Sequence, residues 1–550
     1  MALRRLAAPG AAAAAALCYD SDSGLCRAAR TLGYGLLIGC DYKLGPASRQ
    51  PAGSAEYKAA LSATHERSAR RLLALCQTHL GLYNKLGQYL SSMTIALPHE
   101  YTSVLAACQD RACSIPLSQV RTMIEAELGR PLETLFSSFG TEPVAAASLA
   151  QVHRAVTADT GEEVAVKVQY PRVARQMSSD LTTFRQLAKL VGWAFPDYGY
   201  GWIIEDFDAV ALQELDFRLE AANAAKCASF FADWPRVHVP RTLPHLSTER
   251  VLTMEWIDGA KLDDPRALAA IGVRSADVAP LLTSAFAAMV FEHGFVHCDP
   301  HAGNLLARPM PTDNIGGHRR GQGHNQGAAA GGAQLVLLDH GMYRTLSEEY
   351  RRNYAELWVS LLAQDHAAGR AAAAALGIPP EDYEVLAIVL TFRPPTSRTP
   401  IGVAMSAAER AVLRQRYASV SASDVNAFLE RLPREMLMVM RTWGLVRSLN
   451  RALGGTTRQR FLTMASYAVR GAMIHSRDSS MDGSGAAWRL PFRMLAAFVS
   501  SVWCGIAIWV AIARMRAQVS LELCVARMLH AGELARGTDG LLAPGVKQFG

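Results

Sequence analysis

The sequence predicts an α+β protein in which a short β-rich region lies within a mainly helical chain. Residues 144–171 hold two β-rich runs joined by the turn-forming ADTG, which is typical of a hairpin. Residues 251–259 indicate a strand that ends in a turn, and QLVLLDHG (334–341) indicates a buried strand. Apolar residues at helical spacing dominate the other long segments, which are 54–80, 117–139, 172–232, 275–293 and 345–475.

Length and composition limit the classes of function. A chain of 550 residues is expected to form two to four units. The net charge of +7 is mild at this length and fits a protein near an anionic membrane; without an aromatic-interleaved basic patch, we expect no nucleic-acid partner. The ten cysteines are scattered without a C-x-x-C pair, which argues against a disulfide framework or structural zinc and favours a reducing compartment.

Two segments bear on membranes. Residues 1–19 carry two arginines and no acidic residue, and an organelle transit peptide, a secretory signal and a disordered alanine-rich start all remain open. Residues 494–513 are uncharged and lie between two arginines. A helix of that length spans roughly 30 Å, the thickness of the hydrocarbon core of a bilayer. The alternative is a buried C-terminal helix.

The stretch HGFVHCDPHAGNLL (293–306) concentrates groups that serve either a metal site or a phosphoryl-transfer site. A zinc site would use His297 and His301, four positions apart on one helical turn. Pro300 lies between them, and a helix interior does not readily accept proline. The glutamate that HExxH chemistry needs is also missing. The zinc interpretation is therefore disfavoured.

The same stretch matches H-x-D-x-x-x-x-N, the spacing of a kinase catalytic loop, through Asp299 and Asn304. Lys167 in EEVAVKV precedes it, and Asp339 follows at the end of an apolar strand, as in V-A-I-K and D-F-G. Lys167 would neutralise nucleotide phosphates, while Asn304 and Asp339 would hold Mg²⁺ through oxygen atoms. The order of these four residues predicts a nucleotide site and a two-lobed protein-kinase-like fold.

A glycine-rich loop is missing before Lys167, and AAASLAQVH (145–153) stands in its place. Alanine carries a Cβ, so the backbone approaches phosphates less freely than with glycine. Together with KLGQ (85–88), ELDFRLEAAN (214–223), FVHCDPHAGN and LLDHG, this loop resembles the UbiB/aarF-domain (ADCK) family of atypical protein-kinase-like proteins, over about residues 60–475. LPHEYTSVL, LSTERVLTMEWIDG and LLDHGMY resemble its mitochondrial aarF-domain-containing kinase 1-like branch.

The resemblance implies nucleotide contacts from several parts of the small lobe. Lys167 is the nucleotide lysine, and Glu220 is its ion-pair partner on an αC-like helix. The segment from Glu255 to Asp258 would be the hinge that holds adenine through backbone groups. The alanine-rich nucleotide loop would consist of Ala145, Ala146, Ala147 and Ser148.

The remaining implied roles lie around the catalytic loop. Asp299 would be the catalytic aspartate, and Asn304 and Asp339 would be the metal residues. Glu214 and Asp216 would form the family's E-x-D motif. Lys85 and Gln88 would belong to its K-x-G-Q motif, which lies on a helical extension that folds over the active site.

This sequence also departs from the kinase pattern. Glu220 lies far beyond Lys167, which implies an inserted helix near 173–195. The glycine-rich segment 309–333 is expected to be a flexible insertion at a loop tip. His340 replaces the phenylalanine of D-F-G and is expected to be a packing residue. Cys298 replaces the arginine of H-R-D, so a switch that depends on that arginine is absent.

The predicted organisation is a two-lobed protein-kinase-like fold with a helical N-terminal extension and a C-terminal membrane-associated helix. Its parts are a targeting or disordered N-terminus (1–45), the extension with the K-x-G-Q motif (46–140), a kinase-like N-lobe (141–258), a C-lobe (259–475) and a tail (476–550).

The predicted function is that of an atypical kinase or ATPase that uses ATP or ADP with Mg²⁺ at a mitochondrial membrane. The resemblance implies a role in coenzyme Q or lipid homeostasis, or in mitochondrial membrane organisation. The expected partners are a membrane lipid or small lipidic molecule and mitochondrial membrane proteins. A non-catalytic scaffold and an ordinary Ser/Thr protein kinase are the alternatives.

Overall fold

A computed structural model describes residues 23–51, 53–94, 96–108, 114–196, 201–311, 332–395, 397, 405–416 and 422–478. Structural statements below refer to these residues. Residues 1–19, for which a transit peptide, a secretory signal and a disordered start are the alternatives, lie outside them, as do most of the glycine-rich insertion and the apolar segment 494–513.

Helices form most of the fold, as the apolar periodicity predicts. They are α1 Gly24–Leu44, α2 Ala55–His79, α3 Gly81–Ser92, α4 His99–Leu105, α5 Leu117–Leu128, α6 Leu132–Leu135, α7 Pro171–Ala194, α8 Gly201–Gln213, α9 Phe217–Phe230, α10 Pro265–Ala270, α11 Ser275–Ala288, α12 Glu348–Ala363, α13 His366–Ala375, α14 Tyr383–Thr391, α15 Ala407–Arg416, α16 Ala422–Arg431, α17 Arg434–Ala452 and α18 Thr457–Asp478.

The strands form small sheets, so the α+β class is confirmed. They are β1 Phe136–Phe139, β2 Ala145–Ala146, β3 Ala150–Thr157, β4 Glu163–Gln169, β5 Val237–His238, β6 Val251–Glu255, β7 Ala260–Lys261, β8 Phe295–His297, β9 Leu305–Pro309, β10 Ala333–Leu337 and β11 Tyr343–Thr345.

The first sheet has five antiparallel strands in the order β1-β3-β4-β6, with β2 paired to β3. The predicted β3–β4 hairpin is present. Alternation along β4 buries Val164, Val166 and Val168 in a core shared with α5 and α6. Lys167 points to the opposite face because successive strand residues alternate sides. The sheet therefore presents Lys167 on the side away from its own core.

The helical prediction for 117–139 is wrong at its C-terminal end. Gly129 terminates α5 in a left-handed conformation with φ 68°, and Pro131 precedes the four-residue helix α6. The chain then turns into β1, where Phe136 is buried and pairs with Thr157 of β3. Hydrogen bonding to an existing sheet edge, together with burial of an aromatic side chain, overrides the local helical pattern.

The core of the large helical region is built around α11. This helix and the following turn Met289–His293 are lined with residues that are almost fully buried. Ser275–His293 is long and apolar enough to cross a membrane, with a mean hydropathy of 1.2, but 67% of it is buried inside the protein. Burial on this scale is typical of the central helix of a folded core.

A four-stranded sheet in the order β5-β10-β9-β7 supports the second half of the site. Strands β9 and β10 are antiparallel, with Leu305 opposite Leu337, and the backbone N–H of Leu338 donates to the carbonyl of Asn304 at 2.9 Å. This pairing brings Asn304 beside the chain that leads to Asp339. At the other end Pro309 pairs with Ala333, so the insertion leaves from the tip of this hairpin.

Inserted helices between Lys167 and Glu220 connect the sheet to the N-terminal extension. The predicted helix near 173–195 is present as α7, and α8 follows it. A fully buried ion pair joins α7 to α1: Arg27 Nε and Nη2 donate to the two carboxylate oxygens of Asp180 at 3.0 and 2.6 Å. Arg27 also donates to the carbonyl of His79, at the end of α2. These contacts hold α1, α2 and α7 together next to α3.

Candidate functional site

Lys167 lies at the centre of an ion-pair cluster in which Glu220 is buried and about one-third of the Asp339 side chain is exposed. Its Nζ atom is 2.7 and 2.9 Å from the carboxylate oxygens of Glu220 on α9, and 3.1 Å from Oδ2 of Asp339 after β10. It also lies 5.2 Å from the centre of the Phe217 ring. The sheet, α9 and the segment after β10 therefore converge on one ammonium group.

The electrostatic environment favours the charged forms of Lys167 and Asp339, whereas burial raises the pKa of Glu220 to about 7 against the opposing effect of Lys167. Burial opposes the charge on Lys167, but the carboxylates of Asp339 and Glu220 outweigh it and raise the pKa of Lys167 above its usual value. Burial likewise opposes the charge on Asp339, yet Lys167, Lys85 and the N–H of Gly341, which donates to Oδ1 at 2.9 Å, hold its pKa well below the usual range. The ionised form of Asp339 is therefore favoured, and its oxygen atoms could contact a cation.

Asn304 and Asp339 fit a magnesium ion by their chemistry and position. Asn304 directly precedes β9, and Asp339 follows β10, which pairs with β9. Both side chains supply oxygen. The amide nitrogen of Asn304 donates to the carbonyl of Asp299 at 3.1 Å, which assigns its oxygen as the group that would contact a cation. Magnesium is usually bound by one or two carboxylates with water and phosphate completing the shell. Nucleotide phosphates would complete the coordination.

The disfavoured zinc site receives no support from the histidine contacts. His297 Nδ1 accepts from the backbone N–H of Asp299 at 3.0 Å, and His301 Nδ1 accepts from that of Gly303 at 3.0 Å. Both rings therefore shape the catalytic-loop backbone. Across the described residues, groups of three or more His, Cys, Asp or Glu placed to hold a metal ion are not found.

Asp299 contacts two cationic side chains and a histidine. Its Oδ1 lies 3.2 Å from Nη2 of Arg441, and its Oδ2 lies 3.8 Å from Nζ of Lys85 and 3.7 Å from Nε2 of His301. Burial works to raise the pKa of Asp299, but His301, Lys85 and Arg441 more than offset it and lower the pKa. The carboxylate is therefore ionised and can accept a hydrogen bond from an incoming hydroxyl group.

The K-x-G-Q helix α3 lies directly against this aspartate. Lys85 forms an ion pair with Glu214, with Nζ 2.5 Å from Oε1, and both side chains are about nine-tenths buried. Gln88 donates to the carbonyl of Cys108 at 3.0 Å. A Cβ at Gly87 would lie 2.5 Å from Sγ of Cys108. Glycine is needed here because α3 packs without room for a methyl group.

The two acidic residues of the E-x-D motif have different surroundings. Glu214 belongs to the charged cluster through Lys85. Asp216 is the N-cap of α9, where its side chain accepts from the backbone N–H of Arg218 at 3.0 Å and pairs with the Arg218 guanidinium at 2.9 Å. Asp216 therefore fixes the start of the helix that carries Glu220, and its contacts lie outside the lysine cluster.

The alanine-rich loop begins as a short strand next to Lys167. Ala145 pairs with Val152 on β3, and Val152 pairs with Lys167 on β4. Adjacent strands lie about 4.8 Å apart, so the loop is roughly 10 Å from the Lys167 backbone. The predicted loop residues comprise exposed Ala145, Ala146 and Ala147 and buried Ser148.

The predicted hinge is partly engaged within the protein. The N–H of Trp256 donates to the carbonyl of Glu163 at 3.2 Å, and the carboxylate of Glu255 contacts Nε2 of His238 at 3.0 Å. The side chain of Asp258 accepts from the Trp256 indole at 2.9 Å. Backbone contacts to adenine would therefore come from the end of the segment nearest Asp258.

His340 has the contacts of a packing residue. It is buried, with Nδ1 at 2.9 Å from the Tyr343 hydroxyl and Nε2 at 3.0 Å from the carbonyl of Leu337. Burial lowers the pKa of His340 to about 3. It is neutral at physiological pH, as expected for a residue that takes the place of the D-F-G phenylalanine.

Sequence reasoning missed Arg441. This residue lies on α17, is 6% exposed, donates from Nε to Ser92 Oγ at 2.6 Å and lies 4.7 Å from the Tyr89 ring centre. Together with its contact to Asp299 it ties α17 to α3 and to the catalytic loop. Arg441 is one of several arginines in a long helical segment, and it belongs to none of the recognised motifs. The sequence therefore offers little to distinguish it.

Comparisons with known proteins identify the family of the chain. Residues 107–372 match the model of the ABC1 atypical kinase-like domain. AarF domain-containing protein kinase 1 of Mus musculus is 35% identical over 460 residues, covering 83% of this chain and 84% of the relative. The Gallus gallus protein of the same name is 33% identical over 495 residues, covering 87% and 91%. Probable serine/threonine-protein kinase abkD of Dictyostelium discoideum is 34% identical over 434 residues, covering 79% and 59%.

The protein is kinase-like in class. Its α+β fold and the order of four residues along the chain define that class: Lys167, Asp299, Asn304 and Asp339. More narrowly, the chain belongs to the ABC1/AarF family of atypical kinases. The family predicted from the alanine-rich loop and the K-x-G-Q motif is thereby confirmed.

The close packing of α3 makes the motif glycine testable. We expect Gly87→Ala to lower the free energy of unfolding by about 1–3 kcal/mol, because the new methyl group meets Cys108 in a filled interior. The measurement is chemical denaturation followed by tryptophan fluorescence. Gly33→Ala on α1 is the matched control, since a Cβ there meets no atom within 4 Å. A Gly87→Ala protein as stable as the parent would contradict the packing argument.

Proposed function

We propose that the chain binds ATP or ADP with Mg²⁺ in the cleft between the five-stranded sheet and the catalytic loop. The observation that carries this proposal is the position of Lys167 between Glu220 and Asp339. A lysine held in this way presents its charge at a fixed point, where nucleotide phosphates need neutralisation. Asn304 and Asp339 would hold the magnesium ion, which would neutralise charge on the terminal phosphates.

The site supports phosphoryl transfer to a small acceptor or to water. The ionised Asp299 carboxylate is suited to orient a hydroxyl group and to accept its proton. Helix α3 places Lys85 within 3.8 Å of that carboxylate, which narrows the approach for a folded protein substrate. A small or lipidic acceptor, or ATP hydrolysis alone, is therefore favoured over a protein acceptor.

We place this activity at a mitochondrial membrane, in lipid or coenzyme Q homeostasis or in membrane organisation. The support comes from the sequence: the N-terminal 19 residues are cationic, 494–513 have the length and composition of a membrane span, and the motifs resemble a mitochondrial branch of the family. A membrane lipid, a small lipidic molecule and mitochondrial membrane proteins are the partners that this setting supplies.

A non-catalytic scaffold is the second candidate. It is supported by the cations already bound to Asp299, since Arg441 and Lys85 satisfy the carboxylate without any ligand. Rescue of a knockout phenotype by an Asp339→Ala protein would favour the scaffold, and failure of that rescue in a stably expressed protein would favour the nucleotide site. Phosphorylation of a generic Ser/Thr peptide that is lost in Asp299→Ala would instead favour a protein kinase.

Nucleotide binding is tested through Asp339. We expect ATP or ADP with Mg²⁺ to raise the melting temperature of the parent protein, and we expect Asp339→Asn to abolish that shift because the metal loses its charged ligand. Each tenfold change in affinity alters the stabilisation by about 1.4 kcal/mol once nucleotide is saturating. Asp233→Asn at an exposed position is the matched control. An unchanged magnesium-dependent shift in Asp339→Asn would overturn the assignment.

Membrane attachment is tested by truncation. We expect the full chain to remain in the pellet after carbonate extraction of membranes, because 494–513 match the bilayer core in length and carry no charge. Deletion of 488–550 is expected to release a folded protein that still shows nucleotide-induced stabilisation. Recovery of the full chain in the carbonate supernatant would reject the anchor, and aggregation of the truncated protein would indicate a core helix.

A further inference from the structure

A second cavity lies in the large helical region, apart from the nucleotide site. Its volume is about 380 Å³, and its walls come mainly from α14, α17 and α18. The lining is almost entirely apolar, with Trp358, Leu390 and Trp443 among the largest side chains. Cavities of this size are typical of sites for small organic ligands.

Two arginines interrupt the apolar lining. Arg460 is 5% exposed, whereas Arg447 is exposed and its guanidinium carbon lies 4.5 Å from the centre of the Phe392 ring. None of the lining residues is acidic, and within the described part of the chain neither arginine has an ion-pair partner. Burial lowers the pKa of Arg460 to about 10, and the charge of Arg447 acts in the same direction.

A buried guanidinium without a counter-ion is costly, since the lost hydration is not replaced. An anionic group offers the replacement that the protein does not supply, and the planar guanidinium suits carboxylate and phosphate oxygens. The apolar walls beside it suit a hydrocarbon chain. From the cavity and its unpaired arginine together, we propose that this cavity binds a single-chain amphiphile with an anionic head, with the head at Arg460 and Arg447 and the tail on the apolar walls.

Helix α17 contributes side chains both to this cavity and to the contact with Asp299. Arg441 reaches Asp299 from this helix, while Met440, Trp443 and Gly444 line the cavity. None of the residues that line the cavity belongs to the proposed nucleotide site. It would place a lipidic ligand against the same helix that positions the catalytic aspartate.

The proposal is tested with the full chain in phospholipid nanodiscs and a photoreactive diazirine analogue of palmitate. We expect labelled peptides to map to α14, α17 and α18, and we expect Arg460→Met to reduce this labelling at least tenfold because it removes the charge but keeps an apolar side chain. Arg451→Met, at an exposed position of α17, is the matched control and should label as the parent does. Equal labelling of Arg460→Met and the parent would overturn the proposal.

Competition by soluble amphiphiles with twelve-carbon chains tests the charge of the head group. The two arginines predict that this charge is negative. Laurate and lauroyl lysophosphatidate are both expected to displace the photoprobe, and the more effective of the two identifies a fatty carboxylate or a phosphate head. Dodecyltrimethylammonium has the same tail with the opposite charge and should displace it far less. Equal displacement by the cation would contradict an anion site.

Filling the cavity provides a variant that should fold. Gly444 lies inside α17, and a Cβ there meets no atom within 4 Å, so Gly444→Leu is expected to retain the parent melting temperature or exceed it while losing the labelling. Full labelling of a folded Gly444→Leu protein would show that the probe binds elsewhere.

Nucleotide-induced stabilisation should be unchanged in Arg460→Met, which separates failure of this site from failure of the nucleotide site.

Discussion

The buried ammonium group of Lys167 is the interaction on which the arrangement of the site depends. A charge removed from water requires opposite charges at contact distance, and Lys167 takes them from Glu220 and Asp339, which are distant in sequence. Satisfying Lys167 therefore fixes α9 against the five-stranded sheet and fixes the chain after β10 against both. The β9–β10 pairing then brings Asn304 next to Leu338, the residue that precedes Asp339.

The same requirement extends across the cleft. The side chains of Glu214 and Asp339 both lie next to Gly341. Glu214 forms an ion pair with Lys85, and Asp299 forms one with Arg441. Each of these buried acids takes its cation from the N-terminal extension or from α17, so the extension and the C-terminal helices are joined to the catalytic loop by charge. Burial raises the pKa of Glu214 despite its contact with Lys85, whereas at Asp299 the neighbouring positive charges outweigh burial and lower the pKa.

How far the sequence predicts this structure depends on how local each signal is. The β3–β4 hairpin and the strand that precedes Asp339 are marked by strand alternation and turn residues within a few positions, and the structure contains both elements. The helix predicted over 117–139 fails at its end because Phe136 gains burial only by pairing with a strand that comes later in the chain. Arg441 and the cavity at Arg460 depend on helices packing together, which no periodicity in one segment records.

The central claim is that Lys167 and its two carboxylates form a magnesium–nucleotide site. Calorimetric titration of ATP and of ADP into the full chain in nanodiscs, with Mg²⁺ and with EDTA, tests it most directly when repeated on Lys167→Met and on the exposed control Lys189→Met. We expect binding that requires Mg²⁺, is retained in Lys189→Met and is lost in Lys167→Met. Magnesium-dependent binding of undiminished affinity in a folded Lys167→Met protein would contradict the account.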